Sequence, residues 1–313
     1  MKKEPGKSYL ELVEACDRFP YDEQPDFYKL YLPQDTRPHG MMRPEIVKRM
    51  PWSSAFSVDH AKTTVQLVVS DDTDLEKSCV SAFDTIVSDA IDNDLFEILH
   101  RRHSEPYRIV GANYFCHVER FSHALFGIVA RGAHMTAYVQ TSEGIKIWVP
   151  RRSRKLFTYP GKLDSTVAGG VKASDDPVQC ITAEAMEEAS IPGNMVAERL
   201  RSVGTLTYIT MYDSPSGREK DLISPEILYL YDMELPADFE LKPNDDEVEQ
   251  FYLMSVDEVK QALANEEFKT NSAAVMVDFF VRHGVITQEN EASYVELISR
   301  MHRRLPLAVV ANC

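Results

Sequence analysis

Gly169-Gly-Val-Lys-Ala-Ser-Asp-Asp-Pro-Val-Gln-Cys-Ile-Thr-Ala-Glu-Ala-Met-Glu-Glu-Ala-Ser-Ile191 is the stretch that decides the fold. Asp176 suits a helix N-cap, Pro177 suits the first turn and Pro192 closes the run, so a helix is predicted over Pro177 to Ala189. At about 100° per residue, Val178, Ile181, Ala185 and Ala189 share one apolar face. Glu184, Glu187 and Glu188 fall at i, i+3 and i+4 and share a different face. Three like charges there cost helix stability unless a cation offsets them, and an all-oxygen donor set suits Mg2+ or Mn2+. Taken alone, the same spacing also describes a solvated acidic face.

Around this stretch the chain has the composition of a globular protein. It has 313 residues, 44 % apolar and 27 % charged, enough for a full-sized core and for two domains. With 34 Lys plus Arg against 49 Asp plus Glu, the net charge of −15 excludes a general attraction to nucleic acid or to anionic membrane. An anion is then bound only through a local basic cluster or a bridging cation. No apolar run reaches the roughly 18–20 residues needed to span a bilayer, and Met1 to Gly6 lacks the apolar stretch of a secretory signal. The five cysteines include no CxxC pair, which points to free thiols in a reducing compartment and away from a cysteine zinc site. A cytoplasmic protein with a small-molecule partner, and no nucleic-acid or membrane partner, is expected.

Up to about residue 118 the pattern is mixed α/β. A helix is predicted within Tyr9 to Arg18, a strand over Thr64 to Ser70, and a long helix capped by Asp72-Thr-Asp74 running through Phe83, Ile86 and Ala90 towards Leu99. From residue 119 short strands are predicted at Leu125–Val129, Met135–Val139, Gly144–Pro150, Thr205–Met211 and Glu226–Leu235. Helices follow Ser255, including Ala273–Arg282 and one ending near Arg304. Strands around one central helix, with helices after them, give an α+β fold. The expected division is an N-terminal α/β domain over 1–118, a catalytic domain over 119–270 and C-terminal helices over 271–313 packed on it.

The 169–191 stretch resembles the Nudix box, G-x5-E-x7-R-E-U-x-E-E-x-G-U, over 23 ungapped positions. The Glu of the RE pair falls on Glu184, the EE pair on Glu187 and Glu188, and the closing aliphatic on Ile191. Asp175 stands for the first Glu, Ala183 for Arg, Ala185 for the aliphatic and Ser190 for Gly. The resemblance implies a Nudix α/β/α sandwich and hydrolysis of a diphosphate linked to another group. It implies Mg2+ (or Mn2+) held by Glu187, Glu188 and Glu184, and a further carboxylate acting as ligand or base. Glu247 in the run Asp245 to Glu249 best fits that last role, with Glu226 the other candidate. Gly169 and Gly170 open the box and are implied to border the substrate.

The cluster Arg151-Arg-Ser-Arg-Lys155 gives local positive charge, so Arg151, Arg152 and Lys155 are candidate diphosphate contacts. This region also looks like isopentenyl-diphosphate isomerases, but Val167 to Gly170 lacks the Cys and His that isomerisation requires. Phe126 to His134, Trp148 to Ser153 and Tyr159 to Gly170 resemble one Nudix branch of fungi and plants, related to the N-terminal half of a fission-yeast thiamine pyrophosphokinase. Members of that branch cleave thiamine diphosphate, and preferentially its oxidised oxo and oxy forms, to the monophosphate; no kinase half is expected here. Aromatic stacking on a thiamine-like ring makes Phe126, Trp148, Tyr208 and Tyr212 candidates, with Arg131 and His134 as further pocket residues.

Overall fold

The structure is a computed structural model and describes residues 6–21, 26–69, 74–101, 105–156, 158–212, 219 and 221–312. The proposed cap residues Asp72 and Thr73 lie outside the described residues.

The chain begins with α1 (Tyr9–Glu14), held by a capping box in which Ser8 and Glu11 bond each other's backbone. Next come β1 (Tyr28–Tyr31), β2 (Pro38–Met42), α2 (Pro44–Arg49), β3 (Phe56–Asp59), β4 (Thr64–Leu67) and α3 (Leu75–Asp92). A short hairpin, β5 (Pro106–Arg108) and β6 (His117–Glu119), then leads into α4 (His123–Phe126). The four-stranded sheet β2-β1-β4-β3 is covered by α3, whose Cys79, Phe83, Ile86 and Ala90 are buried against it.

The second region carries β7 (Ala130–Thr141), β8 (Gly144–Arg152), β9 (Val167–Gly170), α5 (Pro177–Ala189), α6 (Gly193–Arg199), β10 (Leu200–Met211), β11 (Ile223–Glu234) and β12 (Val248–Ser255). The helices α7 (Val256–Ala264), α8 (Thr270–Arg282) and α9 (Tyr294–Met301) complete it. Its sheet runs β10-β11-β7-β8-β12, and β7 forks, pairing with β9 near its start and with β8 near its end. The alternation of side chains along the strands sends Ala133, Met135 and Tyr231 to one face, where Cys180, Ile181, Ala185 and Ala189 of α5 bury them. Leu206, Tyr208, Leu228 and Leu230 face the other way, against α8 and α1. Helices on both faces of one sheet make this an α/β/α sandwich, as expected, and the chain as a whole is α+β. Among the described residues no helix is long and apolar enough to cross a membrane.

Four expectations change. Leu125–Val129 is not a strand: His123 to Phe126 form the single turn of α4, and Leu125, Phe126 and Ile128 fill the N-terminal core. A short apolar run carries no period, so only its burial decides its form. The long helix α3 stops at Asp92 short of Leu99, because Asn93 turns its side chain back to the Asp89 carbonyl and Asp94 adopts a left-handed φ of 55°. Val178 is 49 % exposed, one turn too early in α5 to reach the sheet. The helix α1 does not stay with the N-terminal sheet but packs against α8 and α9.

Candidate functional site

The site is assembled where β9 hands the chain to α5. Asp176 accepts from Gln179 N and Gln179 Oε1 accepts from Asp176 N, so the helix start is locked by its own sequence. The glutamates at i, i+3 and i+4 then follow the helix geometry. Glu184 lies against β9: a Cβ added to Gly169 would sit 2.2 Å from its Oε1. Burial first, and then the neighbouring Glu187 and Glu247 carboxylates, push the Glu184 carboxyl up to about 7. Glu188 is 9 % exposed, accepts from the Ala168 backbone N–H at 3.4 Å, and is pushed well above the usual carboxylate range by burial and then by Glu184 and Asp164. Glu187 is exposed on the same side of the helix.

A narrow cavity beside Glu188 is bordered by Arg152, Asp164, Ser165, Ala168 and Glu247. Glu247 reaches it from the start of β12, where its carbonyl accepts from Ser153 N at 2.8 Å. The structure thus brings together Glu184, Glu187, Glu188 and Glu247, carboxylates separated by up to 63 positions in sequence. Among the described residues no three His, Cys, Asp or Glu side chains stand close enough, as positioned, to ligate one ion. Two features nevertheless fit a hard divalent cation. The donors are all carboxylates, with Glu184 and Glu188 held above the ordinary range by burial and then by their neighbours, and Glu184 occupies a cradle that any Cβ at Gly169 would fill.

The basic cluster does not converge. Arg152 Nη1 donates to Asp164 at 2.8 Å and Nη2 to the Thr158 carbonyl at 3.1 Å. Arg151 Nη1 donates to the Gly161 carbonyl at 2.9 Å, and its Nε donates to the Tyr252 hydroxyl at 3.3 Å. Lys155 is exposed on the turn beyond them. Of the three, Arg152 alone borders the carboxylate cavity, and it does so as the partner of Asp164. Burial alone would raise Asp164, but Lys269 and Arg152, with the Ser272 hydroxyl, hold it down at about 2.

The aromatic candidates are core residues. Phe126 is fully buried, Tyr208 is 3 % exposed and Trp148 is 8 % exposed beneath α5, so none of the three offers a free ring face. Tyr212 is partly buried against the N-terminal core. His134 is buried, meets Ser165 Oγ at 2.9 Å and is driven down to about 3 by burial and then by Lys269, which makes it a neutral structural histidine. Glu226 lies on the α8 face of the sheet, accepting from the Tyr208 hydroxyl at 2.8 Å. Arg131 does lie at the box: its Nη2 donates to the Lys172 carbonyl at 3.0 Å. Gly170 packs under the Tyr107 hydroxyl, which would be 2.1 Å from an added Cβ.

Sequence reasoning missed Asp164, Lys172 and the β5–β6 hairpin. Lys172 lies inside the quoted stretch, and its charge acts on Glu184; Asp164, Glu105 and Tyr107 carry no local signal.

Residues 131–275 match the family model of the NUDIX domain. The chain is 42 % identical over 195 residues to an uncharacterized protein of Saccharomyces cerevisiae, covering 60 % of this chain and 57 % of that one. It is 35 % identical over 191 residues to Nudix hydrolase 20, chloroplastic, of Arabidopsis thaliana (61 % and 49 % covered). It is 32 % identical over 188 residues to Nudix hydrolase 24, chloroplastic, of the same plant (60 % and 49 % covered). The chain thus spans about half the length of the curated relatives it matches. A β-strand, loop and helix carrying the box-like stretch, inside an α/β/α sandwich and within the matched span, mean that this chain contains a Nudix domain over residues 131–275.

Proposed function

We propose that this protein is a divalent-metal-dependent Nudix diphosphatase of the cytoplasm, acting on thiamine diphosphate and preferentially on its oxidised forms, with the monophosphate as product. The observation that carries the reading is the gathering of carboxylates at the β9–α5 junction, where Glu184 and the buried Glu188 are held above the usual carboxylate range by burial and then by their acidic neighbours, an arrangement that a cation relieves. Glu187, Glu188 and Glu184 would hold Mg2+ (or Mn2+), which when bound neutralises phosphate charge and polarises water. Gly169 and Gly170 keep the strand free of side chains, so Glu184 rests on the backbone there. Glu247, exposed at the cavity edge, would accept a proton from outside the helix. Ala183 sits where the family pattern has arginine, and it is exposed.

The substrate reading is supported by the branch resemblance over Phe126–His134, Trp148–Ser153 and Tyr159–Gly170. An intact thiazolium is cationic and its oxidised forms are neutral. Arg131 beside the box repels a cation and tolerates a neutral ring, which favours the oxidised forms. A ten- to hundredfold preference corresponds to roughly 1.4–2.8 kcal/mol, within the range of one such feature.

The test is kcat/KM with Mg2+ for thiamine diphosphate, its oxo form and ADP-ribose. The oxo form should lead. Turnover of ADP-ribose alone would replace the thiamine reading with a nucleotide one. No turnover of any of them would point to a binding protein that has kept the box carboxylates.

A further inference from the structure

Two adjacent glycines at the end of β9 are held from different sides. Val167 and Gly169 face α5, where Glu184 leaves no room for a Cβ on Gly169. Gly170 faces the other way, and there the Tyr107 hydroxyl leaves no room for a Cβ. Tyr107 belongs to the β5–β6 hairpin, which precedes the span that matches the family. The strand that opens the box is thus closed between its own helix and a side chain from outside that span.

Neighbouring contacts reinforce this one. Ala173 N donates to the Pro106 carbonyl at 2.8 Å. Glu105 pairs with Lys172 at 3.2 Å and with Arg120 at 2.8 Å, and the Lys172 charge in turn acts on Glu184. Glu105, Pro106 and Tyr107 therefore hold Lys172, Ala173 and Gly170 in turn. A support must itself be fixed, and Tyr107 is 7 % exposed in a hairpin anchored on its far side. Ile109 N donates to the Cys116 carbonyl at 2.8 Å, and Ile109, Cys116 and Val118 are buried in one core with Phe83 of α3. At the hairpin tip Arg37 donates to the Gly111 carbonyl at 3.0 Å, and Asn113 Oδ1 accepts from Asn312 N at 2.8 Å.

We propose that Tyr107 is a positioning residue of this site: seated on Gly170, it fixes β9 and the box loop from behind and so sets where Glu184 stands. The proposal rests on the reading of the box carboxylates as cation ligands, but its test begins without metal. Gly170→Ala drives a methyl into the Tyr107 hydroxyl. Tyr107→Phe removes that hydroxyl and leaves the ring Cζ, at 3.1 Å, as the nearest atom to the new methyl.

Hydrogen exchange of segment 167–176 and calorimetric titration of Mg2+ are read on the full chain as wild type, both single variants and the double variant, with circular dichroism to check the fold. Gly170→Ala should speed exchange and weaken Mg2+ binding about tenfold or more, and Tyr107→Phe about threefold, the scale on which outer contacts tune a metal site. The double variant should recover to within about threefold of wild type, because one change makes the room that the other needs. Wild-type exchange and affinity in Gly170→Ala overturn the proposal. A double variant no better than Gly170→Ala also overturns it, since the methyl then acts on the strand alone. Should Gly170→Ala not fold, Tyr107→Phe decides by itself, and wild-type values in it overturn the proposal. Exchange that is sped and then restored, in a protein that binds no Mg2+, would sink the metal reading and leave Tyr107 as the support of the box loop.

Discussion

Glu188 shows at the scale of one residue how stability and activity are set against each other. Its carboxyl is buried and repelled by Glu184 and Asp164, so the folded chain prefers it protonated. Glu188→Gln should keep or raise the melting temperature while lowering turnover at saturating Mg2+ at least about 10²-fold, the scale of one lost charge contact in a transition state. A variant with near-wild-type turnover would remove Glu188 from the metal set.

Arg152 illustrates the reverse case. Its loss leaves Asp164, 5 % exposed, with Lys269, the Ser272 hydroxyl and the Ser165 backbone N–H, so Arg152→Met should cost about 2–3 kcal/mol in urea unfolding. Asp164 falls from 3.8 to about 2 on folding. A lowered carboxylate contributes stability above its unfolded value near 4 and loses it as pH falls towards 2, here about 2 kcal/mol. Asp164→Asn should flatten that part of the acid-unfolding curve, and an unchanged slope would show that other carboxylates control it.

At the scale of elements, the β9–α5 unit is nearly self-specifying at its start and strained at its end. Ser190 closes α5 at φ 53°, a left-handed conformation that costs a residue with a Cβ about 1 kcal/mol or more. Ser190→Gly should therefore raise stability by up to about 1 kcal/mol, part of the gain being offset by the greater freedom of glycine in the unfolded chain. A lower melting temperature would mean that the serine side chain has a role its geometry does not reveal. At the other end of the site, Gly169→Ala places a methyl 2.2 Å from Glu184 Oε1. The flexible glutamate yields before the strand does, so the fold should survive while Mg2+-dependent turnover falls about tenfold or more. Circular dichroism beside kinetics separates the two effects.

Across the whole molecule, the site has contributions from both regions. The hairpin at 106–119 meets the box loop, and α1 returns from the N-terminus to pack on α8 and α9. A ligand that binds only the folded site stabilises the entire chain by mass action, by about 2.7 kcal/mol at a hundred times its Kd. Mg2+ should accordingly raise the melting temperature of wild type and leave that of the Glu187→Gln, Glu188→Gln double variant unmoved. An equal rise in both would place the ion elsewhere.

What the sequence determined by itself is what short-range geometry controls. The Asp176 cap, the bounds of α5 and the shared face of Glu184, Glu187 and Glu188 follow from local capping chemistry and 3.6 residues per turn. The strands expected at 144–150, 205–211 and 226–235 were legible from their β-branched and aromatic runs and fall on β8, β10 and β11, though the structure sets their ends differently. Tertiary structure alone decided which charges are free. Arg151 and Arg152 look like a clamp in sequence, yet each is consumed by a partner beyond the cluster. A charge becomes a site or a strut according to which distant groups packing brings within about 4 Å, and no local pattern records those pairings.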